Sequence, residues 1–208
     1  IVVRRPEDAA PIVADAYSAL LGAKPDAVLG LATGSTPLGV YRELVRRHRE
    51  EGLSFARARG FNLDEYVGLP AGHPESYITF IKREFTDQVD FDPEAVQGPD
   101  GLADDPVQAG RDYDQAIKDA GGIDIQILGI GSDGHLAFNM PMSSLVSRTR
   151  LKTLTSRTRE DNARFFDGDI DQVPKLCLTQ GLGTIMESRH AIMLGFGKGK
   201  AKDSTPGA

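Results

Sequence analysis

Residues 123–141, IDIQILGIGSDGHLAFNMP, decide how this chain is read. The first six alternate apolar side chains with Asp124 and Gln126, the pattern of a buried strand. That strand empties into Gly129, Gly131 and Gly134, which hold Asp133 and His135 at its tip. A carboxylate beside an imidazole at a strand's carboxyl end stands where open α/β sheets keep their chemistry. The glycines let the backbone turn tightly there and approach a ligand closely.

Outward from this strand, the two hydrophobic periods alternate. Residues 6–21 carry alanines and apolar side chains at helical spacing. Ala27-Val28-Leu29-Gly30-Leu31 is a short buried strand running into Thr33-Gly34-Ser35-Thr36-Pro37. A helix follows over about 38–50, with Thr36 and Pro37 as cap and first-turn residue. Phe61-Asn62-Leu63 reads as a strand end before Asp64-Glu65-Tyr66. Helices are predicted over 75–85, 107–120 and 159–166, and strands over 175–179 and 191–195, with a polar stretch at 143–158. Strands alternating with helices imply an α/β fold: a mainly parallel sheet with helices on both faces, in one domain over residues 1–208.

At 208 residues the chain is long enough to bury a proper core. A net charge of −6 argues against general nucleic-acid binding. Cys177 is the single cysteine, so no internal disulfide forms and a reducing compartment, the cytoplasm, fits. No apolar run reaches the length of a membrane span, and the start, IVVRRPEDAAPIV, has no apolar signal region. Beginning at Ile1 without a methionine implies a few residues in front. The histidines at 48, 73, 135 and 190 show no metal-ligand spacing with one another or with Cys177.

Gly129, Gly131 and Gly134 satisfy the dinucleotide pattern G-x-G-x-x-G. That pattern needs a helix opening at its third glycine and an acid ending the next strand. Pro141 cuts off any such helix, and Arg148-Thr149-Arg150 follows instead. The loop at 33–37 is the better anion candidate, because backbone N–H groups and hydroxyls at a helix start favour phosphate. Plain helix capping by Thr36 explains the same residues equally well. Asp64 and Glu65, placed after a strand, suit a general base. An isolated Asp-Glu pair reads more simply as a solvated turn, and Arg46-Arg47-His48-Arg49 as a solvated helix face.

Together, GLATGSTPLGVY, FNLDEYVGLP with HPESY, GIGSDGHLAFN, SSLVSRTR, and NARFFD with VPK resemble the glucosamine-6-phosphate deaminase/isomerase family. The resemblance runs in order, at the family's spacing, over nearly the whole chain. It implies that superfamily's modified Rossmann-like fold, a homo-oligomer and a reaction without cofactor or metal. That reaction is an aldose–ketose isomerisation coupled to deamination: glucosamine 6-phosphate and water give fructose 6-phosphate and ammonia. Carried over by residue, the resemblance implies Asp64 as the base that moves a proton between C2 and C1. It implies His135, with Asp133 as its acidic partner, as the group that opens the sugar ring. The phosphate falls to Gly34, Ser35 and Thr36, to Arg164 from a mobile lid, and to Lys200 after the last strand. Ser144, Arg150 and Lys152 match a subunit-interface site at which many members are activated by N-acetylglucosamine 6-phosphate. His190 stands where the allosteric members carry an acid, which points to a non-allosteric protein.

Two departures bear on activity. The family motif continues Phe-Asn-Glu-Pro, whereas this chain reads Phe138-Asn139-Met140-Pro141. The missing glutamate belongs to the ring-opening group, so slower ring opening is expected with the Asp64 step retained. Family members also run further, so the chain is expected to lack the family's C-terminal part. Two other readings stay open on sequence. One is a related sugar-phosphate enzyme, a 6-phosphogluconolactonase or an isomerase of another amino sugar phosphate; the other is a non-catalytic phosphosugar-binding module.

Overall fold

The computed structural model describes residues 1–131 and 133–197. Along the chain run α1 (Ala9–Ala23), β1 (Val28–Leu31), α2 (Leu38–Glu51), β2 (Arg59–Asn62), β3 (Asp64–Tyr66), α3 (Tyr77–Glu84) and β4 (Val96–Gln97). After these come α4 (Pro106–Asp119), β5 (Ile125–Gly129), β6 (Arg150–Thr153), α5 (Ser156–Asn162), β7 (Leu176–Thr179), α6 (Leu182–Met186) and β8 (His190–Leu194).

Five of the strands form a parallel sheet in the order β4-β2-β1-β5-β8. β1 is buried along its whole length, as a strand covered on both faces should be. Leu29 and Leu31 point to one face, where Val13, Tyr17 and Leu21 of α1, Val40, Tyr41 and Leu44 of α2, and Ile81 of α3 form the main core. Val28 and Phe61 point to the other face, where Tyr113 and Ile117 of α4 cover them. Chain order reverses between β1 and β5, so the carboxyl ends of these two strands flank the crevice where such sheets bind ligands.

A second sheet departs from the expected plan. β3, β7 and β6 pair antiparallel in the order β3-β7-β6. Asp64-Glu65-Tyr66 is therefore a buried strand, not a solvated turn. It runs on from β2 after Leu63 alone and crosses from the large sheet into the small one. β6 lies inside the stretch read as polar loop; its residues are half-buried or exposed, which dilutes any apolar signal. The arginine run on α2 is also not wholly solvated. Arg47 is buried and pairs with Glu43 at 2.9 Å and with Asp15 of α1 at 2.7 Å, tying the two helices together.

Candidate active site

The carboxyl ends of β1, β2 and β5 open into one cavity of about 510 Å³. The turn after β1 supplies Thr33, Gly34, Ser35 and Thr36 to its wall. Gly34 sits at φ +86°, a conformation that suits glycine and turns the chain sharply into α2. α2 begins without any side-chain cap, and its N-cap position is Pro37 rather than Thr36. The capping role expected for Thr36 is thus not what the structure has. The turn that leads into this uncapped helix lines the cavity with Gly34 and the hydroxyl residues Thr33, Ser35 and Thr36. That is the arrangement an anion needs.

Asp64 lies on the cavity wall at the start of β3, paired in register with Thr179 of β7. It is 6% exposed, and burial, reinforced by the negative charge of Glu65, pushes its carboxyl up to about 8. Once ionised, a carboxyl so placed is a stronger base than a solvated one, which suits a group that takes and returns one proton.

The loop after β5 brings His135 to the same cavity. His135 Nδ1 lies 2.5 Å from Asp133 Oδ1, and its backbone N–H donates to that oxygen at 3.3 Å. Burial raises the Asp133 carboxyl, but the hydrogen bonds and charge of His135 outweigh it and leave the group below its ordinary value. An imidazole oriented by a carboxylate on one nitrogen offers the other to a substrate oxygen. Gly131 makes room for this: a Cβ there would stand 2.2 Å from the imidazole. Asn139 fastens the far side of the loop, with Nδ2 donating to the carbonyls of Gln180 at 2.8 Å and Leu136 at 3.0 Å.

Arg164 reaches the cavity from the turn after α5, its guanidinium 4.7 Å over the Phe165 ring. Among the described residues no carboxylate pairs with it, so its charge is available to an anion.

Comparison with known proteins shows the family. The profile of the family described as glucosamine-6-phosphate isomerases/6-phosphogluconolactonase matches residues 6–205. The chain belongs to this family. It is 63% identical over 202 residues to the glucosamine-6-phosphate deaminase of Mycolicibacterium smegmatis, covering 97% of this chain and 77% of that protein. The protein of the same name from Beutenbergia cavernae is 61% identical over 202 residues, with the same coverage of 97% and 77%. A solved structure of a monomeric glucosamine-6-phosphate deaminase superposes with a TM-score of 0.88 at 43% identity, over 92% of this chain and 79% of that one. A 6-phosphogluconolactonase from Thermotoga maritima shares the fold, with a TM-score of 0.72 at 20% identity, over 97% of this chain and 84% of that one.

Within this family fold, Gly34, Ser35, Thr36, Asp64, His135 and Arg164 all line one cavity, and Asp133 stands behind His135. Lys200 lies outside the described residues. Ser144, Arg150 and Lys152 are not in the cavity wall. Ser144 is exposed in the loop before β6, and Arg150 and Lys152 share one side of β6, paired across from Thr179 and Cys177. The sequence reading missed Tyr77, Phe138, Thr158, Asp161 and Asn162 as cavity residues. Tyr77 opens an amphipathic helix, and nothing in a 3.6-residue period separates a core aromatic from a pocket wall. Met140, half-buried beside Asn139, is not among the lining residues. Among the described residues no helix is long and apolar enough to cross a membrane.

Proposed function

We propose that this chain converts glucosamine 6-phosphate and water to fructose 6-phosphate and ammonia, with Asp64 as the base. The observation that carries the reading is the convergence of Asp64, His135, the turn before α2 and Arg164 on one cavity of about 510 Å³. That volume lies within the range of small-molecule sites.

In this reading the phosphate docks on the N–H groups and hydroxyls of Gly34, Ser35 and Thr36, and Arg164 closes over it. Lys200 adds a further charge. His135, oriented by Asp133, moves the proton that opens the pyranose ring. Asp64 then takes the proton from C2 and returns it to C1, through an intermediate of the enediol type that carries nitrogen at C2. The resulting C2 imine adds water and expels ammonia, leaving the ketose phosphate. Methionine at 140 supplies no charge to the ring-opening group, so that step is slow while the Asp64 step is intact.

We place the protein in the cytoplasm, as a homo-oligomer whose interface site, at Ser144, Arg150 and Lys152, does not activate it. A coupled assay for fructose 6-phosphate tests the central reading. Wild type turns over glucosamine 6-phosphate, and Asp64→Asn loses on the order of 10²–10⁴-fold in kcat/KM. Met140→Glu raises turnover on the cyclic sugar and leaves an open-chain analogue unchanged. Acid release from 6-phosphogluconolactone without ammonia release would favour the lactonase reading. Binding without deuterium exchange at C2 would favour a non-catalytic module.

A further inference from the structure

Glu65, the neighbour of Asp64, is also buried, at 7% exposed, but its side chain leaves β3 on the opposite side. Its Oε1 accepts from the backbone N–H of Tyr66 at 2.8 Å and of Tyr77 at 2.9 Å, and its Oε2 from Ile78 at 2.9 Å. Two of those donors are the opening N–H groups of α3; the next, of Thr79, goes to Ser76 Oγ. One carboxylate thus occupies the start of the helix that carries Tyr77. The Tyr77 ring then returns to the catalytic cavity, where it stacks on Phe138 with the centroids 6.1 Å apart and packs on Tyr66 at 4.7 Å.

We infer that Glu65 is a positioning residue for the proton transfer: it clamps α3 so that Tyr77 walls the cavity beside Asp64, and it fixes a negative charge directly behind the base. This rests on the reading of Asp64 as base. The two carboxyls are not equivalent. Burial raises Glu65, but three backbone N–H groups pull it back toward the charged form. Asp64 has no such donor among the described residues, so of the two carboxyls Glu65 is the one whose surroundings favour the charge. The other titratable groups near Asp64 are Tyr66, Tyr77, Tyr113 and Cys177, all raised by burial and therefore neutral there. Across the cavity stand His135, Asp161 and Arg164. Glu65 is the other carboxyl on the same strand as Asp64, and it too is buried.

The test pairs two readouts on wild type, Glu65→Gln and Glu65→Asp. One is the titration of the Asp64 carboxyl carbon followed by NMR and assigned through its loss in Asp64→Asn. The other is the pH profile of kcat and KM. Glu65→Gln should lower the Asp64 midpoint and the acidic limb of kcat/KM together, by about one pH unit. Glu65→Asp keeps the charge but shortens its reach to α3. It should hold the midpoint within about half a unit and lose roughly ten-fold in kcat, with KM nearly unchanged. An unmoved midpoint and acidic limb in Glu65→Gln overturn the inference. If Glu65→Gln does not fold, an unchanged kcat in Glu65→Asp overturns it instead. A wild type that releases no fructose 6-phosphate defeats the proposed function alone, because the NMR titration still judges Glu65.

Discussion

Asp64 sets reactivity against stability. With its folded-state value raised to about 8 from the ordinary carboxylate range, the folded protein holds a proton that the unfolded chain releases. Stability therefore falls as pH rises from about 4 to about 8, with a slope of about 1.4 kcal/mol per unit at most for one such group. Above that window the penalty is constant, and below it the penalty vanishes. Asp64→Asn keeps the shape and removes the titration. Its melting temperature should match wild type near pH 4 and exceed it by about 10 °C or more at pH 8, at about 2–4 °C per kcal/mol. Equal melting temperatures at both pH values would show that Asp64 is not protonated in the folded state. The resemblance singled out Asp64, but its burial was not legible. Asp-Glu-Tyr lacks an apolar pattern, and its partner strand β7 comes from far along the chain.

At the scale of the element, the loop after β5 works because one of its glycines is empty space. Asp133 and His135 were readable as the tip of a strand. What the sequence could not supply is the path of the imidazole back over Gly131, where a Cβ would stand 2.2 Å away. The displaced atoms belong to a half-exposed ring at the end of a rotatable side chain, so the fold can yield cheaply and the catalytic geometry cannot. Gly131→Ala should therefore leave the melting temperature within about 2 °C of wild type, well under a kcal/mol. It should cost ten-fold or more in kcat on cyclic glucosamine 6-phosphate, by moving His135 off its position beside Asp133. Deuterium exchange at C2 of an open-chain analogue, which needs Asp64 alone, should persist. Loss of both activities would mean the loop also shapes the Asp64 half of the cavity. The turn after β1 teaches the complementary lesson. Thr36-Pro37 fits a capped helix start by composition, and only the structure shows that α2 has no side-chain cap and that the turn lines the cavity.

Across the whole molecule, the candidate cavity opens at the carboxyl ends of the large sheet and a buried electrostatic staple sits at its amino end. The parallel sheet was legible because β1 and β5 are near-continuous apolar runs. The small antiparallel sheet was not, because β3 and β6 are short and polar and depend on β7 for partners. Asp124, just before β5, is the staple. It accepts from Lys24 at the end of α1 at 2.8 Å, from Arg189 before β8 at 3.0 Å, and from the backbone N–H of Val28 at 2.8 Å. Burial raises its carboxyl, but Lys24, the Val28 N–H and Arg189 together bring it below the ordinary value. A carboxylate held low contributes stability above its unfolded value and loses it as pH falls through the folded one. Both cations are more than a third exposed, so solvent screens much of the pairing and the buried N–H of Val28 carries weight. Asp124→Ala should cost about 2–3 kcal/mol at pH 7, the loss of charge-assisted hydrogen bonds with a donor left unpaired. That corresponds to a fall of roughly 5–10 °C in melting temperature, shrinking below pH 4 where the wild-type carboxylate is itself neutralised. Because the staple lies at the opposite end of β5 from His135, kcat measured well below the melting transition should stay within about two-fold of wild type, as expected for distant, independent sites. A large loss of kcat in a folded Asp124→Ala protein would mean that the two ends of the sheet are mechanically coupled.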